Sequence, residues 1–284
     1  QGDYDVTEIY GELLVPMISD VTLADELNLT LGYRFSDYSS IGSANSYKAG
    51  LEWRPVRSML LRGGYQHAIR APSLGDLFAG LETRTATLGT PASGGGDPCD
   101  VRQTALRNGP DAEQIRALCL AQGIPADVYP TFQNTVNTQP IQVSGNKDLL
   151  EETSDSYTIG VVFRPTFGGP LVRALQLSVD YFKIELEDAI GNVALNTTLA
   201  RCFNRDGFSN PTYDNNNFYC QLIQRATSNH SMEFVRAPTV NLAGYKTWGV
   251  DLQIDWSANL GDLGLSDRFG SIFFNTVVSY TGEY

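Results

Sequence analysis

The sequence predicts an all-β chain: part of an antiparallel transmembrane β-barrel, about eight strands of a larger barrel, with long extracellular loops. Three observations predict it. Segments of apolar/polar alternation recur along the chain, the mark of strands with one greasy and one wet face. The connections between them alternate between short turns and long polar loops. The composition suits short strands, with Tyr (14), Phe (13) and Gly (27) plentiful and Met (3) and His (2) scarce.

The balance of residues bounds the rest. With 284 residues, 42% of them hydrophobic, the chain is apolar enough to be ordered. A net charge of −12 argues against nucleic acid, which needs a basic face. No stretch approaches the roughly 20 apolar residues of a membrane helix, and barrel strands, being half apolar, need none. Gln1–Tyr4 has neither a basic region nor an apolar leader, and Ser279–Tyr284 stops inside a strand pattern. The whole of 1–284 therefore reads as an internal part of a barrel domain.

In the first strand Ile9, Leu13 and Val15 oppose Glu8 and Glu12, and Pro16 is expected to end it, with a turn to about Asp25. The second sets Leu27, Leu29, Leu31, Tyr33 and Phe35 against Glu26, Asn28, Thr30 and Arg34. A polar loop, Ser36–Ser46, leads to a third with Tyr47, Leu51 and Trp53 opposite Lys48, Glu52 and Arg54. After a turn at Pro55–Ser58 the fourth runs from Met59 to about Arg70 and breaks at Pro72, which lacks a ladder N–H.

Residues 71–153 form the longest excursion, of a size rare in compact soluble domains. It holds a flexible-looking Gly94–Gly96 run and one expected helix. That helix has Pro110, Asp111 and Glu113 at its start, Ile115, Leu118, Cys119 and Gln122 on one face, and Gly123 and Pro125 at its end.

Tyr157, Ile159, Val161 and Phe163 make the next strand, Pro165–Pro170 a turn, and Leu175, Leu177 and Val179 the strand after it. There the phase flips after Tyr181 to Phe182, Ile184 and Leu186, as a β-bulge would cause, or as a strand leaving the bilayer would show. The second long loop, 191–240, is rich in Asn. Leu242 to Trp256, a turn at Gly261–Ser266 and a strand from Phe269 complete the chain.

A soluble β-sandwich could give the same alternation. The loop lengths favour the barrel, with the short turns at Pro16, Pro55, Pro165 and Gly261 at one end and Cys99 and Cys202 at the other. Leu29, Leu31, Tyr47, Leu51, Trp53, Ile159, Val161, Trp248, Val250 and Leu252 are then expected to face lipid. Glu8, Glu12, Arg34, Lys48, Glu52, Arg62, Asp180, Asp251, Gln253 and Asp255 are expected to face the lumen.

The four cysteines lie only in the long loops. Local disulfides, Cys99 with Cys119 and Cys202 with Cys220, are expected, each worth about 3 kcal/mol by chain entropy. Crossed pairing remains open, while no Cys-x-x-Cys or nearby His favours a metal. Two isolated histidines, His67 and His230, offer no catalytic set, and Asp206 and Asp214 fit turns better than a calcium loop. Phe203, Tyr213, Phe218 and Tyr219 lie among many Asn in a loop of small net charge. Such a surface suits a neutral, hydroxyl-rich solute such as an oligosaccharide better than a strongly anionic siderophore, although Asn and Tyr are also what outer loops ordinarily contain, and that is the preferred explanation.

Two runs carry a resemblance. In Arg62–Phe78 a strand ends in Arg70-Ala71-Pro72-Ser73, followed by Leu77-Phe78. Gly145–Ser154, with Asn146 and Leu149, follows the long loop. Both resemble barrel motifs of TonB-dependent outer-membrane receptors, although Leu150 stands where that family usually has Pro, and Pro is often found near Lys147. The resemblance implies a barrel of roughly 22 strands in the bacterial outer membrane. It also implies a plug domain, missing here, that fills the lumen and is pulled by the TonB complex to take up a scarce solute. It implies no enzyme and no cofactor, and no His stands between Pro72 and Asn146 to favour haem. A passive porin or glycan-binding β protein is the alternative; a barrel enzyme is the poorest one.

Overall fold

The computed structural model describes residues 2–283. The described residues form thirteen strands. These are β1 (Val6–Val21), β2 (Ala24–Tyr38), β3 (Gly42–Val56), β4 (Met59–Arg70), β5 (Glu82–Thr87), β6 (Thr138–Ser144), β7 (Glu152–Phe163), β8 (Leu175–Glu187), β9 (Ile190–Asn192), β10 (Ile223–Arg225), β11 (Met232–Asn241), β12 (Tyr245–Asn259) and β13 (Ser271–Glu283). They belong to two compact units. A wall unit holds Asp3–Ala71, Leu150–Ala189 and the chain from Leu242; a loop unit holds Pro72–Leu149 and Ile190–Asn241.

The wall unit is one antiparallel sheet of eight strands, in the order β1-β2-β3-β4-β7-β8-β12-β13. Cross-strand partners share a face, so the register sorts the side chains. One row runs Leu51, Gly63, Ile159, Tyr181, Val250, Tyr280; the row on the opposite face runs Glu52, Arg62, Gly160, Asp180, Asp251. Ile9 (70%), Leu51 (46%), Ile159 (63%) and Tyr280 (61%) are exposed. A sandwich would have buried this face under a second sheet; here Ile9, Leu51, Ile159 and Tyr280 stay exposed and Gly63, Tyr181 and Val250 half-exposed. Among the described residues no helix is long and apolar enough to cross a membrane, and strands do not need one.

Three details differ from expectation. Pro16 does not end β1, which continues to Val21 with a register shift between Pro16 and Ile18. A bulge on the outermost strand tolerates the missing N–H. The Ser36–Ser46 loop is mostly strand: pairing continues to Tyr38 opposite Gly42, whose φ of 80° closes a tight turn. This connection is therefore as short as the turns at the other end.

No bulge occurs at Tyr181, since Gly160↔Asp180, Ile159↔Tyr181 and Thr158↔Phe182 pair in unbroken register. The polarity inverts while the facing does not. On the apolar face beyond Tyr181 come Lys183 and Glu185, with Lys246 alongside (Nζ–Oε1 2.8 and 3.3 Å). The strand simply outlasts the apolar band.

The turns after β3, β7 and β12 lie at one end of the sheet. Arg70, Glu152, Glu187 and Tyr245, where the two excursions leave and return, pair at the other.

The loop unit folds both excursions together. β10, β11, β6 and β5 are neighbours in that order, with β9 also on β11. β6 comes from the first excursion and β11 from the second, and they pair in parallel, from Ile141↔Val235 to Ser144↔Pro238. The core combines Cys99, Ile115, Leu118, Cys119, Ile124, Tyr129 and Phe132 of the first excursion with Cys202, Phe203 and Cys220 of the second. The expected helix spans Ala112–Ala121 and buries Ile115, Leu118 and Cys119. Disulfides join Cys99 to Cys119 (Cα–Cα 5.8 Å) and Cys202 to Cys220 (4.8 Å). The Gly94–Gly96 run is not loose: its three N–H groups donate to Pro91, Thr90 and Leu88 carbonyls.

Candidate functional site

The inner, polar face of the wall is a lattice of ion pairs. Lys48 reaches Glu12 (2.8 Å), Arg54 reaches Glu26 (3.3 Å) and Arg34 lies 3.8 Å from Glu8. Arg62 donates twice to Asp180, at 2.8 and 2.7 Å. The Asp180 carboxylate reaches it across Gly160, where any Cβ would collide with it. Glu52, Arg62, Asp180 and Asp251 line one recess, and Asp255 accepts from Gln253 (2.8 Å) and Asn275 (2.5 Å). Expected lumen residues therefore do share a face.

The two motif runs meet twice, once within each unit. Arg70, at the end of β4, donates to its partner Glu152 (2.7 Å). Ser73 caps the helix Leu74–Phe78: its hydroxyl accepts from Asp76 N (3.2 Å), and the Asp76 carboxylate accepts from Ser73 N (2.9 Å). The second run then docks on the first. Gly145 N donates to Ala79 O, and Asn146 N to Asp76 O. A Cβ at Gly145 would lie 2.7 Å from Ala79 N, so only glycine fits. The Asn146 amide donates to Thr239 O (3.0 Å), tying in the second excursion as well. Leu77 and Leu149 are buried, Lys147 sits 5.5 Å from the Phe78 ring, Ala71 ends the wall segment and Pro72 begins the loop unit. Their spacing serves architecture.

The aromatic candidates separate by burial. Phe203 is 1% exposed, so it packs the core and cannot meet a solute. Tyr213 is half-buried with φ 51°; burial and a bond to Asp111 push its phenol up. Tyr219 is half-buried, hydrogen-bonded to Arg201 through its hydroxyl. Phe218 is 51% exposed. Phe208, which sequence reasoning missed, is 71% exposed; the turn Asp206-Gly207 before it was its only signal. Asn217 donates to Ser209 O (2.9 Å), linking the Phe208 and Phe218 segments inside the loop closed by Cys202–Cys220.

The asparagines mostly serve this loop itself. Buried Asn210 donates to Cys202 O (2.7 Å) and Asp214 O (3.1 Å) and accepts from Asp214 N (2.9 Å). Asn204 accepts from Asn210 N, and Asn217 caps the helix Phe218–Gln221. Burial would raise the Asp206 carboxyl, but the Ser209 hydroxyl and the Ser209 and Phe208 N–H groups hold it below its ordinary range. His67 lies in the wall unit, where its Nδ1 is 2.8 Å from Asp155; His230, at φ 62°, lies in the loop unit.

An antiparallel wall with one apolar and one polar face and long inserted excursions is the arrangement of part of a β-barrel. The family model described as TonB dependent receptor-like, beta-barrel, matches residues 1–283, and the chain belongs to that family. Among solved structures it resembles the siderophore receptor PirA from Pseudomonas aeruginosa (TM-score 0.52, 13% identity, 99% of this chain and 35% of that one). It also resembles a mutant of the ferric enterobactin receptor PfeA from the same organism, in complex with enterobactin (0.51, 13%, 90% and 25%). At that identity the likeness concerns the fold alone, and the chain spans 35% and 25% of those receptors' lengths. No curated protein matches the sequence.

Proposed function

We propose that this chain supplies wall and capture surface to an outer-membrane transporter. A plug fills its lumen, and the TonB complex delivers the energy for uptake of a scarce, bulky solute. The observation that carries this reading is the apolar face of the eight-stranded sheet, exposed or half-exposed and unburied by a core, backed by an ion-paired opposite face. The reading assigns no catalysis to the chain. Its setting is the bacterial outer membrane, with lipid against the apolar rows.

For the solute, Phe208 and Phe218 offer exposed ring faces on a stapled loop. Ring stacking suits a neutral, sugar-like ligand. The internal use of the Asn amides weakens that preference, and the two similar solved structures named above are siderophore receptors. The test is uptake and binding by the full-length receptor with maltoheptaose and ferric enterobactin as probes. Transport that stops when TonB is deleted is expected; TonB-independent flux would favour a passive porin.

A further inference from the structure

The two excursions are separate in sequence, yet no seam divides them. The buried pair Asp97–Arg225 joins the first to the second, with side chains 0% and 3% exposed and two bonds, at 2.7 and 2.8 Å. Arg225 also donates to His230 O (3.0 Å) and lies 3.4 Å from Cys99 Sγ. Gln139, 1% exposed, donates to Met232 O (3.0 Å). Thr239 donates to Ser144 O (2.9 Å), and Asn146 to Thr239 O (3.0 Å). The parallel β6–β11 ladder and the mixed core complete the joint. Parting the excursions would strand a buried charge pair and buried amides with no replacement partners, which is strongly unfavourable.

We propose that the two excursions act as a single rigid capture module, and that the receptor takes its solute without closing one loop over the other. A solute meets a preformed surface, and whatever movement uptake requires is made by the module as a whole. The functional half of this proposal rests on the capture reading above; the structural half does not.

The test places spin labels at Arg116→Cys, exposed in the first excursion, and Arg205→Cys, exposed in the second, in the full-length receptor. Pulsed electron–electron resonance should give one narrow distance distribution, unchanged by maltoheptaose or ferric enterobactin. A broad or two-peaked distribution, or a shift on adding either probe, would overturn the proposal. A receptor that binds neither probe would sink the capture reading, while the width of the ligand-free distribution would still decide whether the module is rigid. Independently, Arg225→Gln should lower amide-exchange protection in Ala112–Ala121 of the first excursion and Leu195–Cys202 of the second together. Loss confined to the second excursion would show the two to be separable.

Discussion

The wall and the loop unit use the same apolar residues in opposite ways. In the wall, Ile159 and Tyr280 are 63% and 61% exposed, and the strands are held by the ladder between them. In the loop unit, Leu118 and Phe203 are each 1% exposed, around two disulfides, as in a small secreted domain. The same residue types are thus exposed in one unit and buried in the other, and a given substitution should change meaning with the unit it falls in.

The sharpest break of that contrast is Phe203→Ala. It should cost the loop unit about 3–5 kcal/mol as a core truncation, read by denaturant unfolding followed through near-UV circular dichroism. Next comes the double change Cys99→Ser with Cys119→Ser, expected to cost about 2–5 kcal/mol. Amide exchange should show the loss in the loop unit and leave β4, β7 and β8 protected; equal loss in the wall would mean the units are not independent in stability. On the wall, Ile159→Arg should cost about 2–4 kcal/mol in a bilayer, measured by reversible unfolding in vesicles. Thr158→Arg, facing the other way, should cost less.

Acid provides a smaller effect. Burial would raise the Asp100 carboxyl, but Arg102 and the N–H groups of Arg102 and Asn134 outweigh burial and hold it below its ordinary value. Its stabilisation is therefore present above the unfolded value, about pH 4, and is lost as pH falls through the depressed folded value. Loop-unit stability should decline in that window, and Asp100→Asn should flatten the decline. Smallest of all, Phe218→Ala should change stability by no more than about 0.5 kcal/mol; any loss of solute binding would then report contact.

The wall was legible in sequence because its alternation is local. Each strand shows its two faces within a few residues, as Leu27 to Phe35 do against Glu26 to Arg34. What was misread there lies towards the strand ends, at Pro16 and Ser36–Ser46, and of the two readings at Tyr181 only the bulge fails. The loop sheet was illegible for a different reason. Glu82–Thr87 has almost no apolar residues, Thr138–Ser144 contains Pro140, and β6 pairs with β11 over ninety residues away in sequence, which no local period announces. Composition singled out Phe203 beside Phe218, but burial depends on tertiary contacts, and only the fold separates the core ring from the exposed one.

The pairing of β6 with β11 bears on how such chains can be recombined. The wall strands stay in sequential order around both insertions. The insertions, however, complete each other: Arg225 of one neutralises Asp97 of the other. A chimera that imported only the first excursion from another receptor would bring a half-domain lacking its counter-ion and its neighbouring strand. Viable crossovers should therefore fall outside 72–241, and the two excursions should be inherited as one cassette, with β7 and β8 carried along between them.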